Sequence, residues 1–122
     1  MAAERVIFSK CKNEIINGIS TQIACTAFSN YIFVVITQYG KMGTLISLTP
    51  NVTSSDISKP IFTTKVLLGN DEALTHVFAK NLVMFVSQEA GNKPVLLALA
   101  LKDKRIESIR DMKEMIKSCQ VW

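Results

Sequence analysis

Apolar positions in the first half of the chain form short, closely spaced runs that are typical of β-strands. Five strands are predicted there, at residues 14–19, 22–28, 31–38, 44–48 and 61–68, and a short strand at 5–8 is an option. Helical periodicity follows at 71–90, then a strand at 95–101 and a helix at 104–119. The order β-β-β-β-β-α-β-α lacks regular β-α alternation. We therefore expect residues 1–122 to form a single α+β domain, with a mainly antiparallel sheet of about six strands and two helices.

The first predicted helix is apolar around most of its circumference. Asp71 is placed as its N-cap and Gly91 as its C′ residue. At about 100° per residue, the wide apolar arc contains Leu74, Val77, Phe78, Leu82, Val83, Met84, Phe85 and Val86. A surface helix normally buries one stripe, as the second predicted helix does. We therefore expect the first helix to be covered on more than one side, which favours a protein that docks to other proteins.

Two predicted strands are apolar on both faces, YIFVVI at 31–36 and VLLALAL at 95–101. A strand with one wet face alternates, so these strands are expected in the centre of the sheet, covered on both sides. Two helices cover one face, and a partner's sheet is favoured over a self-contained sandwich for the other. The candidate partner-dimer face consists of Ile32, Val34, Ile36, Leu97 and Leu99, or of their neighbours of opposite parity.

Composition and motifs argue against catalysis. The single histidine, His76, lies on a helix without a partner at a fixed spacing, and a solvated side chain is the favoured interpretation. Cys25 lies among apolar residues, where a thiolate is disfavoured, and the three cysteines are widely spaced, as expected of free thiols. Metal-ligand and phosphate-loop motifs are absent from the sequence. We expect no enzyme activity, no cofactor and no metal.

The charge pattern and the turn at 40–43 give weak support to nucleic-acid binding. The net charge is +4, but basic and acidic residues are interspersed. The GKMG sequence at 40–43 resembles an RNA-clamping loop, yet strands flank it, so a tight turn is the simpler interpretation. An RNA-binding module therefore remains the least favoured function.

The longest apolar run is short, and Glu4 and Arg5 interrupt any signal-like start. We expect no membrane contact and a location in the cytoplasm, with the nucleus as an alternative. The stretch 49–60, rich in proline, serine and threonine, is predicted to be a structureless loop.

Several long blocks of sequence resemble the proteasome assembly chaperone 3 family. They are TQIACTAFS at 21–29, TQYGKMGTL at 37–45, TTKVLLG at 63–69, HVFAKNLV at 76–83, FVSQEAGN at 85–92 and CQVW at 119–122. The resemblance implies a non-enzymatic chaperone that pairs with a second, similarly folded assembly chaperone, with a homodimer possible when it is alone. The pair would order α-type subunits into the α ring of the 20S core and leave before maturation.

A releasable client surface should be smaller and more polar than a permanent partner face. Under this interpretation the candidate client-binding residues are Lys41, Met42, Ser54, Ser55, Asp56 and Lys59. The alternative that the residues leave open is a generic adaptor or scaffold with an antiparallel-sheet dimer interface.

Overall fold

Six strands form one mixed sheet, and two helices pack on a single face of it. The structure, a computed structural model, describes residues 8–38, 43–51, 61–102 and 106–122. In chain order the elements are β1 (Phe8–Ile16), β2 (Ile19–Ala27), β3 (Ile32–Thr37), β4 (Thr44–Asn51), β5 (Ile61–Leu68), α1 (Ala73–Glu89), β6 (Val95–Ala100) and α2 (Glu107–Ser118). The predicted element order and the mainly antiparallel α+β fold are confirmed.

The strand order, β1-β2-β3-β6-β4-β5, places β6 between two strands that precede it in the chain. β4 and β3 are not neighbours in the sheet. β6, which follows α1 in the chain, lies between them. The pairing of β3 with β6 is parallel, and the other neighbouring pairs are antiparallel. β3 and β6 are the two strands with apolar residues on both faces, so that pattern correctly predicted their central position.

The first hairpin turns at Asn17-Gly18, where both residues have positive φ, 52° and 78°. This combination is typical of the two-residue turn that joins twisted antiparallel strands. The predicted strand at 14–19 with a break at Ser20-Thr21 is therefore wrong. β1, at Phe8–Ile16, is longer than the strand predicted there, and residues 5–7 of the optional strand at 5–8 lie outside the described residues.

Helix α1 ends as predicted but begins differently. Gly91 is the C′ residue, with φ +74°, and the Asn92 amide donates to the Ser87 carbonyl at 2.7 Å, which closes the C-terminus. At the other end the N-cap residue is Glu72, without a side-chain cap, so the prediction of Asp71 is wrong. The Asp71 carboxylate contacts His76 instead.

The wide apolar arc of α1 divides into a buried stripe and an exposed one. The buried stripe packs on the sheet and consists of Phe78, Ala79, Leu82, Val83 and Val86. α2 packs beside α1 and adds Met112, Met115 and Ile116 to the same core. Sheet and α2 thus cover α1 on two sides, whereas Leu74, Val77 and Met84 stay 38%, 43% and 36% exposed.

The C-terminus packs against α1. The Trp122 indole N–H donates to Glu89 Oε1 at 3.0 Å, and the ring lies edge-on to Phe85, with centroids 6.1 Å apart. The ammonium groups of Lys113 and Lys117 lie 5.3 and 5.7 Å from the centre of the same Phe85 ring. These contacts hold the end of the chain on the helical layer, on the side of the sheet that carries both helices.

Residues 49–51 belong to β4, so the predicted structureless loop begins too early; its remainder, 52–60, lies outside the described residues. Neither helix in the described ranges is long and apolar enough to cross a membrane.

Gly43 provides a test of the close approach between β4 and β6. Gly43 and Gly91 both have positive φ, +68° and +74°. A Cβ at Gly43 would overlap the Leu99 carbonyl oxygen and lie 2.7 Å from Ala100 Cβ, whereas Gly91 has open space in the described structure. We expect Gly91→Ala to lower the free energy of unfolding by about 1–2 kcal/mol, and Gly43→Ala by at least about 3 kcal/mol. Urea unfolding measures both, and equal losses would contradict the tight contact.

Cys25 gives a second prediction, on the pH dependence of stability. Burial in the core, with smaller contributions from Cys119 and Cys11, raises the pKa of Cys25 from 9.0 to about 12. The unfolded chain releases this proton at lower pH than the native one. The free energy of unfolding should therefore fall between pH 9 and 12, by at most about 1.4 kcal/mol per pH unit from this group.

Cys25→Ala should make this alkaline decrease shallower, whereas Cys11→Ser should change it little, because Cys11 is exposed and is the smallest of the three causes that raise the pKa of Cys25. Urea unfolding at a series of pH values from 8 to 10.5 measures the slope. Parallel curves for Cys25→Ala and wild type would show that the buried thiol does not contribute.

Candidate functional site

The face of the sheet opposite the helices, called the open face here, has an apolar centre. Directly paired residues of neighbouring strands share a face, so the register assigns each side chain. Val35 pairs with Ala24 on one side and Ala98 on the other, and Ala98 also pairs with Leu45. The next row places Phe33 beside Leu96. The apolar centre of the open face therefore consists of Ala24, Phe33, Val35, Leu45, Leu96 and Ala98. Ala98 is 0% exposed, and the other five side chains are half-buried.

Mainly polar residues surround this centre. The same register puts the following polar residues and one cysteine on the rim: Ser9, Cys11, Asn13, Gln22, Thr26, Ser47, Thr49, Thr63 and Lys65. On β5 the exposed apolar side chains of Ile61 and Leu68 lie on the same face. The hydroxyls of Ser9 and Thr26 lie 2.6 Å apart, which ties the rim of β1 to that of β2. An apolar centre with a polar rim is the usual composition of a protein–protein interface.

The open face is not flat over β2. The small side chain of Ala24 leaves a groove of about 290 Å³ between larger neighbours, including Gln22 and Val35, with Cys11 and Asn13 at its edge. A partner side chain of moderate size fits such a depression. Shape as well as apolar composition therefore makes this face suitable for docking.

The five residues first named for the partner-dimer face lie on the opposite side of the sheet. Ile32, Val34 and Ile36 are 0% exposed, Leu97 is 1% exposed and Leu99 is 9% exposed. They pack beneath the chain's own helices, so they are core residues and offer no exposed surface to a partner. Their neighbours of opposite parity, the other set considered, carry the centre of the open face.

The sequences of β2 and β4, which flank the two central strands, indicate which of their side chains face the helices. In β4 the apolar Ile46 and Leu48 alternate with Ser47, and in β2 the apolar Ile23 and Cys25 alternate with polar Gln22. The apolar members of these strands face the helices. Knowledge of the register between these strands and β3 would have assigned the faces of the central strands.

The candidate client-binding residues Lys41, Met42, Ser54, Ser55, Asp56 and Lys59 lie outside the described residues. Their role stays a prediction.

His76 is a structural bridge and not the solvated side chain that was predicted. Its Nδ1 lies 2.6 Å from Thr64 Oγ1 on β5, and its Nε2 lies 2.5 Å from Asp71 Oδ1. The imidazole thus joins the first turn of α1 to the neighbouring strand and to the segment that precedes the helix. Within the part of the chain that the structure describes, no cluster of three or more His, Cys, Asp or Glu side chains could hold a metal ion.

Comparisons with known proteins agree with one another. A family model described as Proteasome assembly chaperone 3 matches residues 34–119. The chain is 62% identical to the human Proteasome assembly chaperone 3 over 117 residues, which are 96% of each chain. It is 60% identical to the mouse protein of the same name over 122 residues, which are 100% of each chain.

A similar fold occurs in a solved structure, the crystal structure of a chaperone complex for yeast 20S proteasome assembly. One of its chains superposes with a TM-score of 0.71, covering 93% of this chain and 97% of that one. The sequences are 12% identical, so this likeness concerns the fold. Taken with the full-length sequence identity to the mammalian proteins, the family model shows that the chain belongs to the proteasome assembly chaperone 3 family.

Proposed function

We propose that this protein is a non-enzymatic chaperone of 20S proteasome assembly and that its open face pairs with the sheet of a second, similarly folded chaperone. The observation that carries the proposal is the apolar centre of the open face, which lies opposite the helices and whose larger side chains stay partly exposed. The names of the relatives support the assembly role. The yeast neighbour, which belongs to a chaperone complex, supports pairing between chains of this fold.

The size of the open face fits such pairing. Six strands about 4.8 Å apart, the central ones six residues long, give a face of roughly 29 by 20 Å. This is of the same order as the about 800 Å² that each partner contributes to an interface of standard size. Stacked sheets lie about 10 Å apart, so the side chains of the two centres would interdigitate and exclude water.

Burial of the apolar centre makes the chaperone pair stable, whereas binding of α-type subunits has to be reversible. A reversible surface is smaller and more polar than a permanent one. In this proposal the pair holds α-type subunits in order while the α ring forms, and it leaves before maturation. Binding energy and steric exclusion do the work, without a bound nucleotide.

Val34 and Val35 test the assignment of the faces, because these neighbours on β3 point in opposite directions. Val34 is fully buried under the helices, and Val35 is half-buried on the open face. Val35→Lys should leave the circular dichroism spectrum intact but abolish pairing, since a lysine would enter the apolar centre. Val34→Lys, the matched variant, should prevent folding, because its charge would be buried without a partner.

Melting by circular dichroism and co-purification of the second chaperone give the two readouts. A folded Val35→Lys protein that still recovers the second chaperone at the wild-type level would remove the open face as the pairing surface.

The proposed function itself is tested by isolating the tagged protein from its own cells under native conditions and identifying its companions by mass spectrometry. We expect a second small chaperone and α-type subunits, without mature catalytic β subunits. Fully mature proteasomes would instead indicate a resident component or a regulator. Recovery without any proteasome subunits would favour the generic adaptor.

A further inference from the structure

Lys65 occupies a distinctive position on the open face. It pairs with Ser47, which also pairs with Leu96, and Leu96 pairs with Phe33. Lys65 therefore belongs to the same row of side chains as part of the apolar centre. Among the described residues, it is the only charged side chain that the strand register places on the open face. The charged residues of β1, for example Lys10, have the opposite parity.

Within the described ranges, the ammonium group of Lys65 has no ion-pair partner. No carboxylate in the described ranges lies within 4 Å of its Nζ, and its backbone carbonyl accepts a hydrogen bond from Ser47 Oγ at 3.5 Å. Its side chain is exposed. The charge is thus available to a molecule that covers the open face.

A second copy of this chain offers Lys65 little. The rim that it would present carries hydroxyl, thiol, amide and aliphatic groups, with a second Lys65 as the only described charge. When a lysine is covered by an apolar and neutral surface, the desolvation of its ammonium group costs free energy that no ion pair offsets. A different chain with an aspartate or glutamate at the facing position would supply that pair and would be selected over a second copy.

We propose that Lys65 is a specificity-determining residue of the open face and selects a non-identical partner chain that carries a carboxylate opposite it. The inference rests on the proposed function, because it takes the open face as the pairing surface. It adds the chemistry of the partner: an apolar sheet face with an acidic group near one edge. Self-association remains weaker than pairing with that chain because of the same lysine.

A lysine on an edge strand also protects against edge-to-edge aggregation. That role makes a different prediction, since it concerns the backbone edge of β5 and not the identity of a chain stacked on the open face. Variants that keep the protein folded separate the two roles.

The test compares wild type, Lys65→Met and Lys65→Glu, with Lys10→Glu as the matched control. Lys10 is an exposed lysine on the opposite edge strand, on the other face. Each tagged protein is expressed in its own cells, and the second chaperone that it recovers is quantified. Each protein alone is then examined by analytical ultracentrifugation, and circular dichroism verifies folding.

We expect Lys65→Glu to reduce recovery of the second chaperone at least tenfold, and Lys65→Met to reduce it severalfold. For the protein alone, Lys65→Met should strengthen self-association severalfold, since the uncompensated charge is gone. The two effects of one substitution therefore have opposite signs. Lys10→Glu should leave both measurements unchanged.

Three results would overturn the inference. If Lys65→Met strengthens both kinds of pairing, apolar content alone governs the interface. If the Lys65 variants match wild type in both, or differ only in aggregation, the lysine protects the edge and does not select the partner. If wild type recovers no second chaperone, the proposed pairing fails, and the inference fails with it; the first two results leave that pairing intact.

Discussion

The parallel pairing of β3 with β6 is the constraint on which the rest of the structure depends. It brings Ile32 beside Val95 and Val34 beside Leu97, which creates the apolar surface on which α1 packs, while α2 packs beside α1 over β1 and β2. The same two strands place Val35 and Ala98 on the other face. A single pair of central strands therefore contributes both to the core of this chain and to the surface that we propose for its partner.

This double contribution explains why the sequence predicted the fold better than the faces on which the side chains of the central strands lie. Strands with apolar residues on both sides correctly indicated central positions, because only a central strand is covered twice. Because both faces of β3 are apolar, its own sequence does not show which of Val34 and Val35 lies on the side of the helices. Register with β2 and β4 assigns them, and register depends on long-range pairing that local periodicity does not encode.

The local errors have local physical causes. Asn17-Gly18 is the strongest turn signal in its region, yet the apolar residues at 15, 16 and 19 resemble one continuous strand when that signal is given too little weight. Asp71 has the residue type of an N-cap, but the imidazole of His76 competes for its carboxylate and the helix begins later. The C-terminus of α1 was predictable because the C′ residue adopts a positive φ, which favours glycine whatever the tertiary contacts are.

The position of β6 between β3 and β4 also determines when the open face forms during synthesis. The ribosome synthesises the chain from its N-terminus. Among the described strands, β6, at Val95–Ala100, is therefore the last to be made, although it lies inside the sheet. A nascent chain that lacks it has β3 and β4 without the strand that joins them, and so lacks both Leu96 and Ala98. The apolar centre is completed only when about four-fifths of the protein has been made. The same strand supplies Val95 and Leu97 to the core, so the surface that we propose for pairing forms together with the folded subunit and not before it.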